Sequence, residues 1–309
     1  MNVELVRTVT RDGLRLDGAL TLPLPLGESG TVPARSPRSE PREGVPAPPT
    51  AAILLHGVAS NFYTSSTFEP LIPMLQGLGV AVLSVNTRGH DSVFGASVGN
   101  VRRRFGAAYE IVDDCRHDAA AWIEFLKGRG HERLVLIGHS LGAVKAVYAQ
   151  SQEKFPEVAA VIAVSAPRLS YSAFMNAAES SQFWESMQTA EEMVRARQGD
   201  ELFTSKFPFP MLMTAAACID KYGPAERYNI LNFADQLPCP ALFTYGSKEL
   251  VLGGVPFTGM PEALASLTSG DSRTTVVIEG ADHVYTGVSD RLAESITNWL
   301  QSRLTAPSR

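Results

Sequence analysis

The sequence predicts an α/β protein: a mostly parallel central sheet flanked by helices, with a helical insertion between late strands. Three observations predict it. Six short apolar runs, Ala51–Leu55, Val80–Val85, Leu134–Ile137, Val158–Val164, Ala241–Tyr245 and Thr275–Ile278, read as strands buried on both faces. Helical segments lie between them, and strand–helix alternation builds a parallel sheet with helices on both sides. Residues 168–237 break that alternation, holding five of the 8 methionines and ten of the 25 aromatic residues.

The elements follow in order. Val3–Val9 and Leu14–Leu22 alternate on either side of Asp12-Gly13, which supplies turn chemistry, so they read as a leading hairpin. Eight prolines fall between Pro23 and Pro49, and residues 23–50 are expected to be an exposed Pro-rich loop, because proline cannot donate to a ladder. Helices are expected over Glu69–Leu78, Ile111–Leu126, Leu141–Gln150 and Leu292–Leu304. The second is amphipathic, with Val112, Cys115, Ala119, Trp122, Ile123 and Leu126 near helical spacing. Met175, Phe183, Trp184, Met187 and Met193 also recur at helical spacing, so residues 168–237 read as a helical cap, packing on the body and lining part of a pocket. The 309 residues then form one domain, 1–309.

Composition narrows the function classes. The formal net charge is −5 and the pI about 5.7, which gives no drive toward nucleic acid or anionic membranes. The three cysteines, Cys115, Cys218 and Cys239, are too scattered for a disulfide framework or a zinc ribbon and read as small buried hydrophobes. The leading MNVELVRTVTRDG has no apolar signal region, and no run approaches the roughly 18 apolar residues of a membrane helix. A soluble, cytoplasmic protein is expected; nothing in the sequence reports an oligomeric state.

The chemistry is carried by Leu134–Gly142, where an apolar strand runs into Gly138-His139-Ser140-Leu141-Gly142 and a helix follows. This is the strand–turn–helix context of a nucleophilic serine. The turn is so tight that Gly138 and Gly142 must lack side chains, and it presents Ser140 at a helix N-terminus, where negative charge is favoured. A serine hydroxyl needs a base. Of the six histidines only His283 follows Ser140, in a loop after the last strand, which makes it the candidate. Glu249 is the candidate acid, because it follows the strand Ala241–Tyr245 through Gly246-Ser247-Lys248. Asp282, adjacent to the base, and Asp235, near the end of the insertion, are its rivals. The oxyanion donors are expected to be the backbone N–H groups of Leu141 and of Val58, in the loop after Ala51–Leu55. His56 in that loop reads as structural. Arg102-Arg103-Arg104 reads as a solvated loop, and Lys145 as solvent-facing or salt-bridged.

These pieces, with Asn86-Thr87-Arg88-Gly89-His90-Asp91 and Asp282-His283, resemble the α/β-hydrolase superfamily in its serine esterase and lipase-like branch, over about residues 50–304. The resemblance implies the α/β-hydrolase fold and acyl transfer through a covalent acyl-enzyme, with a Ser140–His283–Glu249 triad and no cofactor or metal. Glu departs from the commoner Asp, and Asn86 and Asp91 depart from the usual Asp-x-Arg-Gly-x-Gly. Arg88 is expected to tie loops together through its five donors. Haloalkane dehalogenases and epoxide hydrolases of this fold carry Asp at the elbow, so Ser140 argues against both. The expected substrate is a small carboxylic ester with an apolar portion. An amidase, thioesterase, carbon–carbon bond hydrolase or acyltransferase would use the same triad, and a non-catalytic binding protein of this fold would need none of it.

Overall fold

The computed structural model describes residues 3–23, 50–64, 66–178, 180–267 and 272–304. The Pro-rich segment expected to loop out lies, over residues 24–49, outside the described residues. The strands of the main sheet are β1 (Val3–Val9), β2 (Arg15–Thr21), β3 (Thr50–Leu55), β4 (Ala81–Val85), β7 (Arg133–His139), β8 (Val158–Val164), β11 (Ala241–Gly246) and β12 (Arg273–Ile278). They pair in the order β1-β2-β4-β3-β7-β8-β11-β12. β2 runs antiparallel to both its neighbours, and the pairs from β4 to β12 are parallel.

Two hydrophobic layers sandwich this sheet because successive side chains of a strand face opposite sides. From β3, Ile53 and Leu55 point to the side covered by α2 (Cys115–Lys127) and α3 (Leu141–Glu153). Ala52 and Leu54 point to the side covered by α1 (Leu71–Gly77) and α9 (Ser289–Leu304), where Leu71, Leu75, Ile296 and Leu300 are buried. α2 buries Trp122, Ile123 and Leu126 as its periodicity predicts. The three cysteines are free and buried. Arg88 joins Asp118 of α2 (2.8 Å) to Asp12 of the β1–β2 turn (3.0 Å), as expected of a loop tie.

Between β8 and β11 the chain leaves the sheet. It forms α4 (Tyr171–Met175), α5 (Ser181–Arg195), the antiparallel ribbon β9 (Leu202–Ser205) and β10 (Met211–Thr214), and α6 (Ala215–Tyr222). The ribbon adds a short β element to the helices expected there. Phe174, Phe183, Phe207 and Tyr222 pack ring against ring, with centroids 4.7–6.5 Å apart. A second ribbon, β5 (Phe94–Val98) and β6 (Val101–Phe105), corrects the reading of Arg102–Arg104 as a loop: these exposed arginines lie on a strand. α7 (Ser247–Leu252) and α8 (Met260–Leu267) connect β11 to β12.

Candidate active site

β7 ends at His139 and α3 begins at Leu141, so a single residue, Ser140, makes the turn between them. It does so at φ 56° and ψ −123°, a conformation that costs an L-residue energy and persists only where surroundings enforce it. The enforcement is steric. A Cβ on Gly138 would overlap the Gly142 carbonyl, and a Cβ on Gly142 would overlap the carbonyl oxygens of Leu55 and His56. The Ser140 N–H is held by the Val164 carbonyl at 2.8 Å.

The first turn of α7, directly after β11, and the loop after β12 bring up the other two groups. The Ala281 carbonyl accepts the N–H groups of Lys248 (3.0 Å) and Glu249 (3.3 Å), binding the start of α7 to the loop after β12. His283 Nδ1 lies 2.5 Å from Glu249 Oε1, and its Nε2 lies 3.0 Å from Ser140 Oγ. An ionised carboxylate only accepts, so the hydrogen sits on Nδ1 and the Nε2 lone pair faces the serine hydroxyl. The Glu249 side chain is fully buried, whereas that of His283 is 38% exposed, so the serine–imidazole end of the chain of contacts meets solvent and the carboxylate end does not. Phe257 packs against the imidazole with centroids 5.0 Å apart. Of the rival acids, Asp282 Oδ1 accepts the N–H groups of Val284 (3.1 Å) and Thr286 (2.9 Å), and Asp235 is exposed in a 3-10 turn.

Val58 is half-buried in the loop after β3, and Leu141 is the first residue of α3, whose leading N–H groups lack intrahelical acceptors. Gly57 brings the first loop against Ser140: a Cβ there would stand 3.3 Å from Ser140 Cβ. His56 Nδ1 donates to the Gly57 carbonyl at 2.7 Å, which fixes the plane of the peptide carrying the Val58 N–H. The other ring nitrogen accepts from Thr87 N–H at 3.1 Å. Burial, with Lys145 nearby, pushes the His56 pKa down to about 3, so this histidine is neutral. Lys145 itself is buried, 2.5 Å from Glu110 and 3.0 Å from Thr87 Oγ1. Glu110 also faces Lys221 of α6 at 3.8 Å. Against the upward push of its burial, the two lysines hold the Glu110 pKa below the ordinary carboxylate value.

Two neighbours of His283 and Glu249 carry no readable pattern in the sequence. His139 Nε2 donates to the His283 carbonyl at 2.7 Å, and its burial, with His283 beside it, pushes its pKa down to about 4. Ser165, at the end of β8, donates to Glu249 Oε2 at 2.7 Å. His139 lies inside the motif, where only the glycines and the serine carry an expectation. Ser165 is one serine after an apolar strand, with its partner 84 positions away.

The model of the alpha/beta hydrolase family matches residues 52–295. The chain belongs to the alpha/beta hydrolase family. Its sheet has the order and the single reversed strand described above, and solved hydrolases superpose on nearly its whole length. An alpha/beta hydrolase from Penicillium, GrgF, aligns with a TM-score of 0.67 at 15% identity, covering 98% of each chain. Est1E from Butyrivibrio proteoclasticus, solved with ferulic acid bound, aligns at 0.65 and 15% identity, covering 97% of this chain and 100% of its own. An esterase domain from Rhodothermus marinus aligns at 0.60 and 17%, covering 98% of this chain and 99% of its own. At these identities the likeness is one of fold. No curated protein matches this hydrolase. Among the described residues no helix is long and apolar enough to cross a membrane.

Proposed function

We propose that this hydrolase cleaves a small carboxylic ester through a covalent acyl-enzyme on Ser140. The observation that carries the proposal is the chain of contacts Ser140 Oγ–His283 Nε2 and His283 Nδ1–Glu249 Oε1, at 3.0 and 2.5 Å. In this reading Ser140 Oγ attacks the carbonyl carbon while His283 Nε2 takes its proton. Glu249 holds the imidazole and stabilises the imidazolium. The N–H groups of Val58 and Leu141 receive the developing oxyanion. As the tetrahedral intermediate collapses, the bond to the leaving oxygen breaks, and His283 passes the proton to that oxygen. Water then attacks the acyl carbonyl with His283 again as base, releasing the acid and restoring Ser140.

The apolar portion of the substrate is inferred from the Phe257 ring beside His283 and from the methionine- and aromatic-rich insertion, read as a cap. Ser140→Ala is expected to lower p-nitrophenyl ester hydrolysis by about 10⁴-fold or more with circular dichroism unchanged. A fluorophosphonate probe should label Ser140 in the parent and nothing in the variant. Hydrolysis that survives in Ser140→Ala would refute the serine assignment. A panel of matched ester, thioester, amide and β-diketone substrates, with and without an alcohol acceptor, separates ester hydrolysis from the other uses of the same groups.

A further inference from the structure

The proposed acid, Glu249, is not held by His283 alone. We infer that Ser165 is a positioning residue for that carboxylate, fixing Oε2 so that Oε1 is left to the imidazole; this rests on the Ser140–His283–Glu249 reading above.

Three observations support the assignment. The Ser165 hydroxyl lies 2.7 Å from Glu249 Oε2 and 3.1 Å from the Tyr285 hydroxyl, which is itself 3.1 Å from Thr244 Oγ1. Serine has one hydrogen, and an ionised carboxylate is the stronger acceptor, so the hydrogen goes to Glu249. All four residues are buried, so water cannot replace the bond if it is removed.

Second, the carboxylate is divided between two jobs. Oε2 takes Ser165 Oγ–H and the Gly246 N–H (3.2 Å), whereas Oε1 takes only His283 Nδ1 among the bonds described. A glutamate has one more rotatable bond than the aspartate usual in this family, and two fixed donors on one oxygen remove that freedom. Third, Ser165 has φ 50°, in the left-handed region where glycine would be relaxed. Its backbone N–H is bound to the Thr244 carbonyl at 2.8 Å, so the turn aims the hydroxyl at the end of β11. The site keeps a hydroxyl where backbone energy alone would favour glycine.

The experiment uses the full chain with Ser165→Ala and Ser165→Gly, the second relieving the positive φ while also losing the hydroxyl. Active sites are counted by fluorophosphonate labelling, and kcat, KM and the acid limb of kcat/KM are measured on one p-nitrophenyl ester. Both variants are expected to lose about 10- to 100-fold in kcat with little change in KM, the scale of one hydrogen bond to a buried charge. The acid limb should move to higher pH, because a carboxylate stripped of a donor draws the imidazolium proton harder.

The other titratable groups facing the pair are His139, Tyr245, Tyr285, Asp282 and Lys248. Burial and His283 push His139 down to about 4. Burial pushes Tyr245 and Tyr285 above the usual phenol range. Asp282, despite burial, is held below the ordinary carboxylate value by the N–H groups of Thr286 and Val284, and Lys248 on α7 is its cationic neighbour. Folded variants with unchanged kcat and an unmoved limb would overturn the assignment. So would the loss of both variants from the soluble fraction, which would make Ser165 a purely structural residue. If the parent itself fails to label at Ser140, the triad reading falls instead.

Discussion

The two halves of the candidate site are held by different forces. On the nucleophile side, backbone shape does the holding: Ser140 turns at φ 56° because Gly138 and Gly142 let carbonyls close around it. On the acid side, hydrogen bonds do it: Glu249 is gripped by the Ser165 hydroxyl, the Gly246 N–H and the His283 ring, and the His283 carbonyl by the His139 ring. Steric holding is all-or-none and tolerates no added atom. Hydrogen-bond holding is graded, and each donor removed takes away a share.

Changes chosen to break this contrast rank by size. Glu249→Gln keeps the shape but replaces an acceptor that fixes the imidazole tautomer; kcat should fall on the order of 10⁴-fold with little change in melting temperature. A variant that retained full turnover would leave the acid role to another group. Gly142→Ala attacks the steric side. It adds only a methyl group, yet the methyl meets two backbone carbonyls, so chemical denaturation should show a loss of more than about 4 kcal/mol, or no folded protein at all. A loss below about 1 kcal/mol would mean that the elbow can relax.

The smallest effect is on acid stability. His139 has its pKa lowered in the folded state to about 4, from an ordinary 6.5, first by burial and then by His283. The unfolded chain therefore binds the proton first. The contribution of the neutral form is fully present above about 6.5 and is lost as pH falls toward about 4, in total on the order of 3 kcal/mol. His56, lowered to about 3, adds a loss of the same sign over the same window and further down. Urea unfolding followed with pH should show His139→Gln with a shallower acid slope than the parent. Identical slopes would remove His139 from the account.

The same contrast explains what could be read in advance. Steric requirements leave glycines at fixed spacing, so the elbow was legible in Gly138-His139-Ser140-Leu141-Gly142. Long apolar runs mark the parallel strands, and His283 and Glu249 stand out as candidates by their positions after such runs. Hydrogen-bond holding leaves no local pattern. Ser165, Tyr285 and Thr244 converge from three separate segments, with Ser165 and Tyr285 120 positions apart. The small ribbons were missed for a different reason. β5 and β6 are joined at Val98-Gly99-Asn100-Val101, a short turn that sequence does carry, but the arginine run masked its second strand. β9 and β10 have four residues each, too few for periodicity to register.

The buried lysine pair has a thermodynamic meaning as well. Lys221 enters from α6 to face Glu110, which also holds Lys145 of α3. The same stretch of body donates Val112 N–H to Asp220 (2.8 Å) and Asp113 N–H to the Tyr228 hydroxyl (2.9 Å). Pulling away α6 and the segment that follows it to Tyr228 would leave a carboxylate short of a cation in a dry interior and would strip both amides of their acceptors, a cost of several kcal/mol. The segment from α6 onward is thus bound to the body by buried polar contacts as well as by packing, and separating it from the sheet costs stability that hydrophobic burial alone does not account for.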